Sequence, residues 1–127
     1  MTEHVDQLEP IARTGFSNFA LWFGLLAGAT AWALHLEAEF VLARWYCERH
    51  ASWPLHLVTL LLLALTFFAG MTSIAQWRKS PRTHEYLEGR ADRARFMAVL
   101  GALLNVLFFL LIFAEWIPVL VVDPCLR

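Results

Sequence analysis

The sequence predicts an all-α membrane protein with three transmembrane helices, and three observations lead there. The 127 residues are 59% hydrophobic and 17% charged, with mean hydropathy +0.54; a soluble domain of this size needs more polar surface to cover its core. Apolar runs at residues 16–43, 55–77 and 96–117 each reach the roughly 20 residues that span about 30 Å of hydrocarbon. Residues 57–69 are apolar on every side except at Thr59 and Thr66. A helix apolar all round lies in the core of a large protein or in lipid, and this chain is one small domain. These points weigh against the alternative of a soluble helical bundle. The net charge of -1 argues against nucleic acid as a partner and leaves membrane lipid as the expected surroundings.

The N-terminal residues 1–15 are polar and read as a cytoplasmic tail, partly disordered or a short interfacial helix. They are acidic rather than basic, and the apolar stretch that follows is too long for the core of a cleavable signal peptide. The first span is expected over 16–44, a periplasmic loop over 45–54, and the second span over 55–77. A basic loop over 78–95 follows, then the third span over 96–117 and a periplasmic tail over 118–127. Orientation comes from charge: Arg78, Lys79, Arg82, Arg90, Arg93 and Arg95 crowd one loop, and short loops rich in Lys and Arg stay in the cytoplasm. The N-terminus is therefore expected inside and the C-terminus outside, in a bacterial inner membrane. Trp45, Tyr46, Trp53 and Trp116 then form an outer aromatic belt, with Trp22 and Trp77 near the inner interface. Within the basic loop, Pro81 and Gly89 bracket a short helical stretch, and its end extends the third helix by a turn or two. Pro118 is expected to end that helix.

Three spans bring Cys47 and Cys125, the only cysteines, to one side. In an oxidising periplasm the pair is expected to form a disulfide, worth about 4 kcal/mol by loop-closure entropy. Two unpaired thiols are the plain alternative. A CuA-like or zinc site is a third reading, but only Glu48, His50 and Asp123 stand near, short of a metal-binding spacing; no metal site is assigned.

The stretch AWALHLEAEFVLARWYC (residues 31–47) places ionisable groups inside the first span. With Trp45 at the interface and 1.5 Å per residue, Glu39 lies about 9 Å deep, Glu37 about 12 Å and His35 about 15 Å. His35 and Glu39 share a face, and that face continues through Ala31, Gly28 and Gly24. Gly24 and Gly28 make a G-x-x-x-G pair, a surface on which helices pack closely. This stripe is expected to face the bundle. Glu37, about 200° around the helix, cannot share it. It is protonated, reaches toward Arg44, or meets a second protein, and contact with a partner is favoured. On the other helices, Asn105 is placed at the depth of His35, with a His35–Asn105 hydrogen bond, and Glu39, His56 and Glu115 form a shallower group. His35, Glu37, Glu39, His56, Asn105 and Glu115 are thus the expected buried polar residues. Such residues are functional candidates; the structural alternative is interhelical hydrogen bonding at about 0.6 kcal/mol each. A bis-histidine haem b or copper site on His35 and His56 is disfavoured because the two differ by roughly 12 Å in depth. No phosphate-binding glycine loop, nucleophile elbow or H-E-x-x-H is present, and no enzymatic activity is expected.

Four motifs, A-W-x-x-H at residues 31–35, W-x-C ending at Cys47, L-H-L-V at 55–58 and a closing D-P-C at 123–125, resemble those of a family of small bacterial inner-membrane proteins. The resemblance runs from about residue 20 to residue 125, and His35, Cys47, His56, Asp123 and Cys125 are the matching positions. Members of that family are often encoded near haem-copper cytochrome c oxidase genes. The resemblance implies a respiratory-chain setting: an accessory, non-catalytic subunit or assembly factor of a larger membrane complex, most naturally the oxidase. Two alternatives stand beside it. One is a proton-coupled carrier or redox unit working as a homo-oligomer, with Glu39, His35 and Glu115 as its relay. The other is the haem or copper site on His35 and His56.

Overall fold

The structure is a computed structural model. It describes the backbone at residues 2–79, 88–122 and 125, and side chains within 18–79, 93–122 and 125. The described residues form three helices and no strand: α1 (Thr2–Arg49), α2 (Trp53–Lys79) and α3 (Glu88–Val121). Each contains a stretch long and apolar enough to cross a membrane: Asn18–Arg49, Trp53–Lys79 and Arg93–Val121. This is a multi-pass, all-helical membrane fold.

The helices are longer than the apolar runs. α1 is continuous from Thr2, so residues 2–15 of the expected tail are helical backbone, and it runs five residues past the expected end at 44. It stops where His50 adopts a left-handed conformation (φ 53°) and donates its N–H to the Tyr46 carbonyl at 2.7 Å. That bond caps one of the carbonyls the helix end leaves open. Ser52 then precedes α2; its carbonyl accepts from His56 N–H at 3.4 Å, as a residue at the N-cap does. Gly89 lies in the first turn of α3, so that part of the basic loop belongs to α3, extending it two turns before Phe96. Residues 80–87, with Pro81, fall outside the described residues. Pro118 does not end α3, which continues to Val121, and Val122 N–H bonds the Pro118 carbonyl at 2.8 Å. A proline removes its own N–H from the ladder and crowds the carbonyl four residues back, which can kink a helix without stopping it. In lipid, breaking the remaining bonds would leave further backbone groups unpaired.

α1 runs parallel to α3 and antiparallel to α2, and each helix packs on the other two. The bundle can be followed level by level. At one end Gly24, Ser73 and Gly101 meet: a Cβ on Gly101 would lie 3.2 Å from the Gly24 carbonyl carbon and oxygen. Next, Gly28 faces Asn105, whose Cβ would lie 3.5 Å from one on Gly70. Above them Ala31, Leu63 and Ile112 form the apolar core, flanked by Trp32, Leu62, Leu65, Phe109 and Trp116. His35, Thr59 and Glu115 come next. The far end is closed by the Cys47–Cys125 disulfide, with Cα atoms 5.5 Å apart across a separation of 78 residues. The lipid-facing surface is Leu, Phe and Val.

A Cβ on Gly101 would meet the Ser73 hydroxyl at 2.9 Å, which can turn away, and the Gly24 backbone at 3.2 Å, which cannot. Gly101→Ala should therefore lower stability by about 1–3 kcal/mol, the usual range for overpacking. Gly70→Ala, where the new methyl makes an ordinary contact, should be near neutral. Unfolding of both variants in detergent checks the contrast.

Candidate functional site

The inward stripe of α1 carries the site. Gly24, Gly28, Ala31 and His35 are buried, and His35 is 0% exposed. They recur every three or four residues, so one helical face holds them all. His35 is reached from both other helices. Its Nε2 lies 3.0 Å from Thr59 Oγ1, and Thr59 Oγ1 donates to the Leu55 carbonyl at 2.9 Å. A hydroxyl has one proton. Thr59 therefore accepts from His35 Nε2–H. The other ring nitrogen, Nδ1, faces Glu115 Oε2 at 3.3 Å. The second oxygen of Glu115 accepts from Trp32 Nε1–H at 3.0 Å, so the indole three residues before His35 orients that carboxylate. One turn along α1, Glu39 Oε1 sits 3.6 Å from His35 Nε2. One ligand-type atom from each of His35, Glu39 and Glu115 lies within 4.8 Å of the others.

Asn105 does not bond His35. Its Nδ2 donates to the Gly24 carbonyl and, at 2.7 Å, to the Gly101 carbonyl. The reason is the length of α3. Ending that helix near 117 would put Glu115 at the interface and Asn105 at mid-depth. Because α3 reaches Val121, Glu115 lies a turn deeper, level with His35. Asn105 shifts by the same turn and lies, ten residues earlier, about 15 Å along the axis from Glu115, at the glycine level.

The shallower group of Glu39, His56 and Glu115 does not form either. Glu39 and Glu115 go to His35, while His56 Nδ1 accepts from Trp116 Nε1–H at 3.0 Å, with the rings edge-on. Trp116 is thus turned partly into the bundle rather than standing wholly in an aromatic belt. The depth gap between the two histidines also shrinks, because Thr59, which His35 bonds, is three residues from His56, or about 4.5 Å along the axis. They still serve separate partners.

Glu37 is not buried within the chain. Its side chain is exposed on the face that carries Leu34, Phe40 and Val41. Among the described residues it makes no hydrogen bond or ion pair, Arg44 included. Asp123 lies outside the described residues. Trp32, Thr59 and Ser73 were not among the expected site residues. Trp32 shares the His35 face and Thr59 interrupts an apolar run, and those are the signals that could have found them. No family profile, no curated protein and no solved structure matches this chain.

Thr59→Val keeps the side-chain shape and removes the acceptor of a buried imidazole N–H. The variant should lose about 1–3 kcal/mol, the cost of a buried donor left unpaired. Thr30→Val, exposed and bonded only to its own helix at the Leu26 carbonyl, should change stability by less than about 0.5 kcal/mol. Parallel detergent unfolding measurements compare the two.

Proposed function

We propose that this chain is a non-catalytic subunit or assembly factor of a larger membrane complex, embedded in a bacterial inner membrane with its N-terminus in the cytoplasm. Glu37 is the observation that carries this reading. A carboxylate inside an apolar span, about 18 Å along the helix from Arg49, points away from both neighbouring helices into a surface of Leu34, Phe40 and Val41. Held charged against hydrocarbon, such a group costs several kcal/mol. A donor on a neighbouring membrane protein removes that cost, and the surrounding aliphatic and aromatic side chains supply packing area. The bundle itself has no face left to cover Glu37, because the opposite stripe of α1 already faces α2 and α3.

The orientation rests on Arg78, Lys79, Arg93 and Arg95, which flank the connection between α2 and α3, where positive charge marks the cytoplasmic side. The partner's class rests on the motif resemblance. A haem-copper terminal oxidase is the complex proposed, with this protein either resident in it or attending its assembly.

Purification of the full chain in mild detergent, followed by mass spectrometry, tests the reading. Oxidase subunits should copurify with the wild type and be depleted at least tenfold with Glu37→Leu, while the variant's own thermal stability is unchanged or raised. Recovery of the chain alone, or the same partners with Glu37→Leu, would contradict it.

A further inference from the structure

Spacing along the chain assembles no metal ligand set; the one described here forms only across α1 and α3. His35, Glu39 and Glu115 each bring a ligand atom within 4.8 Å of the other two. We propose that these three residues bind one divalent first-row transition-metal ion between the helices, zinc being an ion their donor set fits. This inference does not rest on the oxidase-subunit reading.

Four observations carry it. The first is donor type: imidazole nitrogen and carboxylate oxygen are both zinc ligands, and three protein ligands with a fourth position open is the pattern of catalytic zinc sites. The second is spacing. His35 Nδ1 and Glu115 Oε2 are 3.3 Å apart, longer than the roughly 2.7–2.9 Å of a charge-assisted hydrogen bond. Two donors each about 2.1 Å from one ion stand roughly 3–4.2 Å apart, and the contact falls in that range. With Nε2–H committed to Thr59, Nδ1 turns a lone pair toward a carboxylate oxygen, so a cation or a proton must lie between them; Glu39, whose Oε1 stands 3.6 Å from Nε2, joins an ion at Nδ1 by turning its side chain.

The third observation is the surrounding shell. A metal-binding histidine donates its other N–H to a fixed acceptor, and a ligating carboxylate is held by a further hydrogen bond. Thr59 Oγ1 does the first for His35, and Trp32 Nε1–H does the second for Glu115. The fourth is an atom without a partner: Glu39 Oε1 is a buried oxygen that accepts no hydrogen bond. A divalent ion would balance both carboxylates with a neutral imidazole, leaving no net charge where charge is costly. The Glu39 and Glu115 side chains are 26% and 29% exposed at the bundle surface, so no helix separates the cluster from its surroundings.

The test uses the full-length, disulfide-intact protein in detergent, stripped with chelator and freed of any affinity tag. Zinc titrated calorimetrically should bind at one equivalent per chain, while magnesium and calcium, which want all-oxygen shells, should not compete. Glu115→Gln and Glu39→Gln keep the side-chain shape and should each weaken zinc at least tenfold. Trp32→Phe, which touches no ion, should weaken it roughly tenfold through loss of the orienting bond. Equal zinc affinity in the wild type and both Gln variants would place the binding elsewhere and overturn the proposal. Absence of zinc binding by the wild type would overturn it as well, leaving a shared proton between His35 and Glu115.

Discussion

Hydrocarbon offers a polar group nothing to bond to, so each one in a span must find a partner on its own or a neighbouring helix. That constraint arranges the interior of this bundle. His35, Asn105, Thr59 and Thr66 are its buried polar groups with hydrogen-bond partners among the described residues. Their partners come from all three helices. Pairing the Asn105 Nδ2–H groups requires the Gly24 carbonyl to come within hydrogen-bond reach across the α1–α3 contact, which only small residues permit. The glycine level and the polar levels are therefore one device: close backbones at one end set the register in which His35 meets Thr59 and Glu115 further along.

Much of this was legible from the chain. Three apolar runs specify three helices, because lipid admits no other spanning structure for segments of that length. The spacing of Gly24, Gly28, Ala31, His35 and Glu39 specifies a single inward stripe, and a chain crossing three times brings Cys47 and Cys125 to the same end. Depth was not legible. Apolar runs mark where hydrocarbon begins and ends, but helices continue beyond it. A left-handed His50 closes α1, and Pro118 fails to close α3. Each end moved by four or five residues, and every level assigned from those ends moved with them. Asn105 and Glu115 exchanged roles, and His56 found Trp116 in place of the carboxylates. Thr59 and Trp32, unremarkable by residue type, become the partners that orient the site.

The two faces of α1 are opposite solutions to the same problem. On one, His35 and Glu39 are gathered with Glu115 into a cluster whose outer contacts, Trp32 and Thr59, are already in place. On the other, Glu37 stands among Leu34, Phe40 and Val41 with no partner inside the chain. The helix thus points carboxylates both ways, and it is the outward one on which the proposed contact with a second protein rests. The cluster and the outward carboxylate lie within two residues of each other in sequence.

In the register that the glycine level sets, the contact between His35 and Glu115 fastens α1 to α3. A double-mutant cycle with His35→Ala and Glu115→Gln, read by reversible unfolding in detergent, measures that contact directly. A coupling energy of about 0.6–1.7 kcal/mol, the range of interhelical hydrogen bonds in membranes, is the predicted result. Strict additivity of the two substitutions would mean that the side chains do not meet, and the register described for the bundle would be wrong.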